Sequence, residues 1–553
     1  MARIKESYYP YLIVLAGIVL FFPFLGAVHL FDWDEINFAE SAREMIVTKD
    51  YLTVQINYFA FWEKPPLFIW MQVLSMKVFG INEFAARFPN AIGGIITLLV
   101  LYNIGKKLYN SRFGLLWTLV YAGSLLTHLY FKSGIIDPWF NLFIFLGIYY
   151  MIYYVDPENK EKRSLNIILS ATFIGLGILT KGPVALLIFG LVTLVWLIYS
   201  KQWLNILNVK FFALFIPVLI LVGGFWFILQ ILDGRSDVLI DFIQYQIRLF
   251  TKEDAGHGGF LFYHFVVLFL GVFPASVFAL KSFRRFSGDS GLQKLFRNWM
   301  MITFWVVLIL FTIVNTKIVH YSSMCYFPLT FLATFVIYKM INGQLSWPKW
   351  MKVILIVMTI LEGSLLILVQ LFIHFKDRII ASGSIKDDFA IANMQAEVHW
   401  TGFEFLIGII LIGGVLFSII YFRKKIALQV TGIFISSLLF TGLTMVIIVP
   451  KVEQYSQNAA IEFYENISTE DCYVQTWGYK SYAQYFYAKK PQPEDKRSQD
   501  LDWLLSGEVD KKVYIVTKID RESKFTEQYH DFTRLYDKNG FVFFARNNPS
   551  NLP

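Results

Sequence analysis

Five ionisable residues crowd the first polar stretch of an otherwise apolar chain: Asp32, Asp34 and Glu35, then Glu63 and Lys64. Eight acids and five bases fall between Asp32 and Arg87, although only 16% of the 553 residues are charged. An ionised carboxylate beside a bilayer can take a proton from a hydroxyl as a general base. Three acids within four residues exceed what one helix cap needs, which singles out Asp34 as the candidate base. Lys64 stands before Pro65-Pro66. Prolines suit a first helical turn but remove amide donors, so an anion at that helix start would lean on the ammonium of Lys64. A phosphate at the membrane interface is the natural ligand.

Composition sets the frame for this chemistry. The chain is 56% hydrophobic and 18% aromatic, with a mean hydropathy of +0.52. Soluble domains carry about 25% charged residues, so the sequence reads as a polytopic α-helical membrane protein. The net charge of +8 sits mostly in short loops between apolar runs, which is orientation signal and argues against nucleic acid as a partner. Cys325 and Cys472 are too few and too far apart for a disulfide framework or a zinc site. The run 11–31 is long for a signal peptide and lacks a small-x-small cleavage site, so it is expected to stay as the first span.

Thirteen transmembrane helices are expected, over 10–31, 88–107, 113–132, 136–155, 165–180, 183–199, 210–232, 260–280, 298–315, 319–339, 351–373, 402–422 and 427–449. The run 66–80 is only 15 residues long and carries Gln72 and Lys77. It is expected to lie in the interface, as is the segment from Ile36 to Val47. With the N-terminus cytoplasmic, every strongly basic loop then falls inside, as the positive-inside rule requires. Counting 66–80 as a span would invert all of them.

The outer side then holds the loops 32–87, 233–259 and 374–401, and everything after Pro450. Asp137, Lys181 and Lys317 with Tyr321 lie at outer span ends, and Arg248 and His257 lie in the second outer loop. Each of these has an ordinary explanation as a cap, an anchor or a solvated residue. Their shared side points to one outward-facing site. Residues 1–449 form the expected membrane domain, with 32–87 as its catalytic loop. Residues 450–553, rich in Lys, Glu, Asp and Gln, form an expected small extracytoplasmic α/β domain. There Glu453–Ile467 reads as a helix, and Cys472–Trp477, Lys512–Thr517 and Phe541–Ala545 read as strands.

Three motifs carry a family resemblance: Phe31-Asp32-Trp33-Asp34-Glu35, Ala39-Glu40-Ser41-Ala42-Arg43-Glu44-Met45, and Phe61-Trp62-Glu63-Lys64-Pro65-Pro66-Leu67. Leu179-Thr180-Lys181-Gly182-Pro183 and the stretch from Lys317 to Tyr321 add to it. The chain resembles the C-type (GT-C) glycosyltransferases of the protein O-mannosyltransferase superfamily, nearest to the lipid A aminoarabinose transferase group, over roughly residues 10–340. The resemblance implies an inverting transferase that uses a polyprenyl-phosphate sugar donor and a lipid (lipid A-like) or protein acceptor. It places the reaction at the outer face of a bacterial inner membrane.

On that reading Asp34 is the catalytic carboxylate, and Lys64 holds the donor phosphate with Arg248 or Lys317 as helpers. Glu35, Glu63, Asp137, Lys181, His257 and Tyr321 line the substrate pocket. No metal or cofactor is expected, and the protein is expected to act as a monomer among membrane lipids. This chain carries Asn37 where the aminoarabinose group has an arginine, so one phosphate contact of that group is missing. The alternative is a transporter or flippase for a lipid-linked or acidic solute. Transporters place their charges near the midplane, often with internal repeats, and neither feature is visible here.

Overall fold

The computed structural model describes residues 5–159, 161–201, 206–251, 258–284, 286 and 289–546. Among these, seven helices are long and apolar enough to cross a bilayer: Glu83–Leu108, Asp137–Val155, Arg163–Lys181, Gly291–Ile313, Val319–Ile341, Lys349–Ala381 and Ile426–Ser456. The number rises to ten when three bent pairs each count as one span. The pairs bend by 84° between Ser111–Ala122 and Leu125–Lys132, 60° between Val209–Gly223 and Phe225–Leu232, and 110° between Tyr263–Gly271 and Ala275–Phe283. Each break falls where the backbone is easily bent: at Gly123, at Gly224, and at Pro274, which has no N–H to give. The protein is a multi-pass membrane protein.

The helix ends follow their sequence signals. Asn82, Asn110 and Asn208 each accept a hydrogen bond from the backbone N–H three residues on, which satisfies one of the donors left over at a helix start. Ser290 and Gln293 form a reciprocal capping box. Between Lys349–Ala381 and Phe405–Tyr421, Gly363 and Gly408 bring the two backbones together. A Cβ on Gly408 would stand 2.2 Å from the Gly363 carbonyl oxygen, the small-residue contact by which helices pack tightly in lipid.

The 66–80 run is a 13-residue helix, Leu67–Phe79, stopped by Gly80 at φ 81°. At 1.5 Å per residue it is about 20 Å long, too short for a hydrocarbon core of about 30 Å. Phe68, Ile69, Val73 and Met76 are buried on one side, whereas Leu74 and Val78 are exposed on the other. The preceding helix runs from Asp34 to Thr48 and is buried almost all round, including Glu40, Arg43 and Glu44. A surface-lying helix would not bury those three ionisable side chains. They are buried because residues from the far end of the chain cover them: Arg43 donates to the carbonyl of Lys490 (3.3 Å), and Tyr58 Oη does so at 2.7 Å.

The C-terminal part forms a four-stranded sheet. Cys472–Thr476 runs parallel to Lys512–Lys518. The latter pairs antiparallel with Phe541–Arg546, which pairs antiparallel with Thr533–Lys538 at the edge. The three expected strands are present. The edge strand Thr533–Lys538 was not legible, because it is exposed along its whole length and has no apolar face to alternate. Its hairpin is turned by Asn539 and Gly540 at φ 49° and 82°, the left-handed pair that an Asn-Gly turn supplies at little cost. The segment expected as one helix, Glu453–Ile467, is two: Val449–Ser456 and Asn458–Asn466. Both cysteines are free and buried.

Candidate active site

A cavity of about 570 Å³ opens where the first polar loop meets the membrane helices and the C-terminal sheet region. Asp34, Glu35, Glu63, Lys64, Asp137, Lys181 and Tyr321 all line it. These residues come from five separate stretches of chain, so the gathering is a property of the fold. Leu310, Phe311, Val314 and Ile318 give one part of the wall an apolar lining.

Asp34 and Glu35 are neighbours with different surroundings. Asp34 is 42% exposed at its side chain, with its Oδ2 3.5 Å from Nε2 of His320. Glu35 is buried and fully engaged. Its two oxygens take Nε and Nη2 of Arg87 at 3.0 and 2.9 Å, and they also accept from the backbone N–H groups of Phe31 and Gly134. Burial alone would raise the Glu35 carboxyl, but Arg87 and the two backbone donors overcome it and hold it below the usual carboxylate range. Glu35 is therefore an ion-paired anchor in the wall, and the accessible carboxylate of this pair is Asp34.

Lys64 is partly buried, with its ammonium 5.3 Å from the ring centroid of Tyr245. Loss of solvation lowers its pKa. Glu63, Asp34 and Asp137 act against that, and Lys181 acts with it. Glu63 accepts a hydrogen bond from Tyr245 Oη at 2.8 Å. Lys181 pairs with Asp137 at 2.7 Å, and its ammonium sits 5.6 Å from the rings of both Phe140 and Tyr321. Asn37 also lines the cavity, and its buried Oδ1 has no hydrogen-bond partner among the described residues.

Two expected phosphate helpers are not among the lining residues. Lys317 does not line the cavity. Its ammonium donates to the carbonyls of Phe311, Thr312 and Val314 at 3.1, 2.7 and 2.5 Å, so it closes the open end of helix Gly291–Ile313, where carbonyls lack partners. Arg248 is not a lining residue either; its guanidinium lies 5.1 Å from the Tyr245 ring. His257 falls outside the described residues.

Several lining residues were missed by sequence reasoning. His320 lines the cavity between Lys317 and Tyr321 in sequence, and no local signal sets it apart. Tyr245 and Gln246 lie on a helix, Asp237–Thr251, inside what reads as the loop 233–259. The signal was present in Val238, Leu239, Ile240, Phe242 and Ile243, an apolar set at near-helical spacing. Lys480 and Tyr482 come from the C-terminal part, and nothing local in the sequence ties them to Asp34.

Among the described residues, one group outside the cavity brings metal-type ligands together: His29, Glu83 and Glu465, with ligand atoms within 4.8 Å of one another. Nδ1 of His29 bonds Glu453 at 3.0 Å, and its Nε2 is 3.9 Å from Glu465. Burial works against protonation of His29, but the carboxylates around it raise its pKa overall. These carboxylates favour the protonated imidazole.

Residues 63–226, less than a third of the chain, match the family model described as dolichyl-phosphate-mannose-protein mannosyltransferase. The arabinosyl transferase of Photorhabdus laumondii that is named for undecaprenyl phosphate-α-4-amino-4-deoxy-L-arabinose is 26% identical over 345 residues. That alignment covers 61% of this chain and 61% of the relative. The enzyme of the same name from Wigglesworthia glossinidia brevipalpis is 26% identical over 366 residues, covering 66% of this chain and 64% of that one. Each match thus spans less than two thirds of the relative's length. The crystal structure of ArnT from Cupriavidus metallidurans bound to undecaprenyl phosphate superposes with a TM-score of 0.78 at 16% identity, over 99% of this chain and all of that one.

The chain has the fold of ArnT. The apo form of the same ArnT superposes equally well, at 17% identity. The likeness of fold includes the C-terminal sheet, because the superposition runs over nearly the whole chain. The first polar loop, the ends of the membrane helices and Lys480 and Tyr482 of the C-terminal part line the charged cavity.

Proposed function

We propose that this protein is an inverting glycosyltransferase that moves a sugar from a polyprenyl-phosphate donor to a lipid or protein acceptor at the outer face of the cytoplasmic membrane. The observation that carries the reading is the placement of Asp34 and Lys64 on one cavity wall-to-wall with apolar residues of helix Gly291–Ile313. The names of the undecaprenyl-phosphate-dependent relatives support the donor class, and they give the transporter alternative no support.

In this scheme the donor phosphate is neutralised by Lys64, and its isoprenoid chain leaves between helices. Glu63, Asp137, Lys181 and Tyr321 orient the sugar, and Asn37 offers its amide where a cation would otherwise stand. The acceptor oxygen attacks the anomeric carbon from the face opposite the phosphate, the C–O bond to phosphate breaks, and polyprenyl phosphate leaves. Asp34 takes the proton of a hydroxyl acceptor. For a phosphate acceptor no base is needed, and Asp34 steadies charge in the transition state. Fixed charge aimed at the leaving phosphate is typically worth about 3–4 kcal/mol per well-placed donor.

Thirteen crossings fit this scheme: seven long helices, three bent pairs, and the shorter apolar helices Glu6–Phe21, Val184–Ser200 and Phe405–Tyr421. The N-terminus is then cytoplasmic, and the catalytic loop and the domain 450–553 are extracytoplasmic. The protein works as a monomer without a metal or cofactor.

The test is single-turnover release of undecaprenyl phosphate from a lipid-linked sugar by purified protein in nanodiscs, with membrane extract as acceptor. Lys64→Ala and Asp34→Asn are each expected to remove most of the release while the protein stays folded. Wild-type rates in either variant would sink the assignment.

A further inference from the structure

A transfer between two substrates needs a second subsite beside the one built on Lys64, and the C-terminal part supplies the residues for it. Lys480 is exposed, lines the cavity, and places its ammonium 4.8 Å from the Trp33 ring centroid and 5.3 Å from that of Tyr482. The two rings meet edge to face at 6.4 Å. The segment is docked firmly onto the loop that carries Asp34. The Trp33 indole N–H donates to the Lys480 carbonyl at 3.3 Å, Ser481 Oγ donates to Asp32, and the Tyr482 N–H donates to both Asp32 oxygens at 3.2 and 3.3 Å. Backbone and side-chain bonds therefore fix where this lysine stands relative to Asp34, one residue beyond Trp33.

A cation above two aromatic rings at a cavity mouth is suited to an anionic group carried on a ring, since the ammonium takes the charge and the rings take the flat face. Lys64 sits on Tyr245 in the polyprenyl part of the cavity. Lys480 belongs to a different stretch of the wall with its own aromatic partners. We propose that Lys480, with Trp33 and Tyr482, forms the acceptor subsite, and that this lysine selects acceptors bearing negative charge close to the attacking group. This rests on the transferase reading given above. It assigns the C-terminal part a direct share in the active site.

The test uses the full chain in nanodiscs saturated with undecaprenyl phosphate and phenyl phosphate as probe, followed by saturation-transfer NMR. Wild type is expected to bind phenyl phosphate and to ignore uncharged phenyl glucoside. Lys480→Gln should weaken phenyl phosphate about ten-fold or more, the loss of one charge-assisted contact worth about 1.4 kcal/mol. Lys480→Arg should restore it. The melting temperature and undecaprenyl phosphate affinity of Lys480→Gln should match wild type.

Lys64→Gln should show the opposite pattern, losing undecaprenyl phosphate and keeping phenyl phosphate. No phenyl phosphate binding by wild type, or binding unchanged in Lys480→Gln, overturns the acceptor subsite. Failure of wild type to bind undecaprenyl phosphate is a separate result and overturns the transferase reading itself.

Discussion

Glu35 and Arg87 face each other through two N–H···O bonds of 2.9 and 3.0 Å, deep in the wall of the cavity. Arg87 also donates to the carbonyls of Leu25, Val28 and His29. One guanidinium thus ties the turn after the first helix to the start of the loop that presents Asp34. Removing one partner of such a buried pair strands the other charge, at a cost of about 3–5 kcal/mol. Arg87→Ala and Glu35→Ala are therefore expected to lower yield and melting temperature sharply. Asp34→Asn, next door and exposed, should change stability little and release of polyprenyl phosphate greatly. Thermal melts beside turnover assays separate the two neighbours.

Lys64 binds an anion only while protonated, and burial already lowers its pKa from the ordinary lysine value. Affinity for undecaprenyl phosphate should therefore hold at neutral pH and fall on the alkaline side earlier than for a solvated lysine. Lys64→Arg, always charged, should move that alkaline limb to higher pH. A titration of Kd over roughly pH 6–10 reads this directly. An identical limb in wild type and Lys64→Arg would count against Lys64 as the phosphate contact.

Lys317 closes a helix end and does not reach the cavity. Lys317→Ala is expected to cost about 1–3 kcal/mol of stability by leaving carbonyls unpaired, with donor affinity unchanged in the fraction that folds. Equal loss of undecaprenyl phosphate affinity in Lys317→Ala and Lys64→Ala would show that the lysine reaches the donor.

Glu40, Arg43 and Glu44 form a buried cluster under the C-terminal part. Arg43 grips Glu40 through two bonds of 2.7 Å. Burial first, and Glu40 second, push the Glu44 carboxyl up to about 10, so it is neutral at pH 7. Glu44→Gln should accordingly be tolerated, with a change of less than about 1 kcal/mol. Arg43→Ala should cost several times more, since it removes the buried ion pair with Glu40. Chemical or thermal unfolding of the two variants gives the comparison.

Burial raises the Asp32 carboxyl to about 6, against the opposing pull of Ser481, Tyr482 and Lys480. A carboxyl with a raised native pKa adds stability that is full below its unfolded value of 3.8 and is lost as the pH climbs through about 6. The C-terminal part should therefore hold the loop more tightly at pH 5 than at pH 7.5. Asp32→Asn should flatten the difference, which is on the order of 1–3 kcal/mol. Limited proteolysis across that pH range, wild type against Asp32→Asn, measures it.

The sequence by itself determined the class of the protein and several members of the charged cluster. Apolar runs of spanning length are written in composition, and Pro65-Pro66 with Gly80 mark both ends of helix Leu67–Phe79, because each residue acts through its own backbone. Asp34, Lys64, Asp137, Lys181 and Tyr321 were legible as candidates because ionisable groups at span ends are costly and therefore few.

Tertiary structure alone decided which of them do what. Adjacent acids split into an ion-paired anchor and an accessible carboxylate because Arg87, 52 residues from Glu35, reaches only one. Lys317 went to carbonyls three to six residues away. His320, Tyr245 and Lys480 entered the cavity through packing between distant segments. Local pattern reports what a residue costs where it stands, whereas its partner is set by the path of the whole chain.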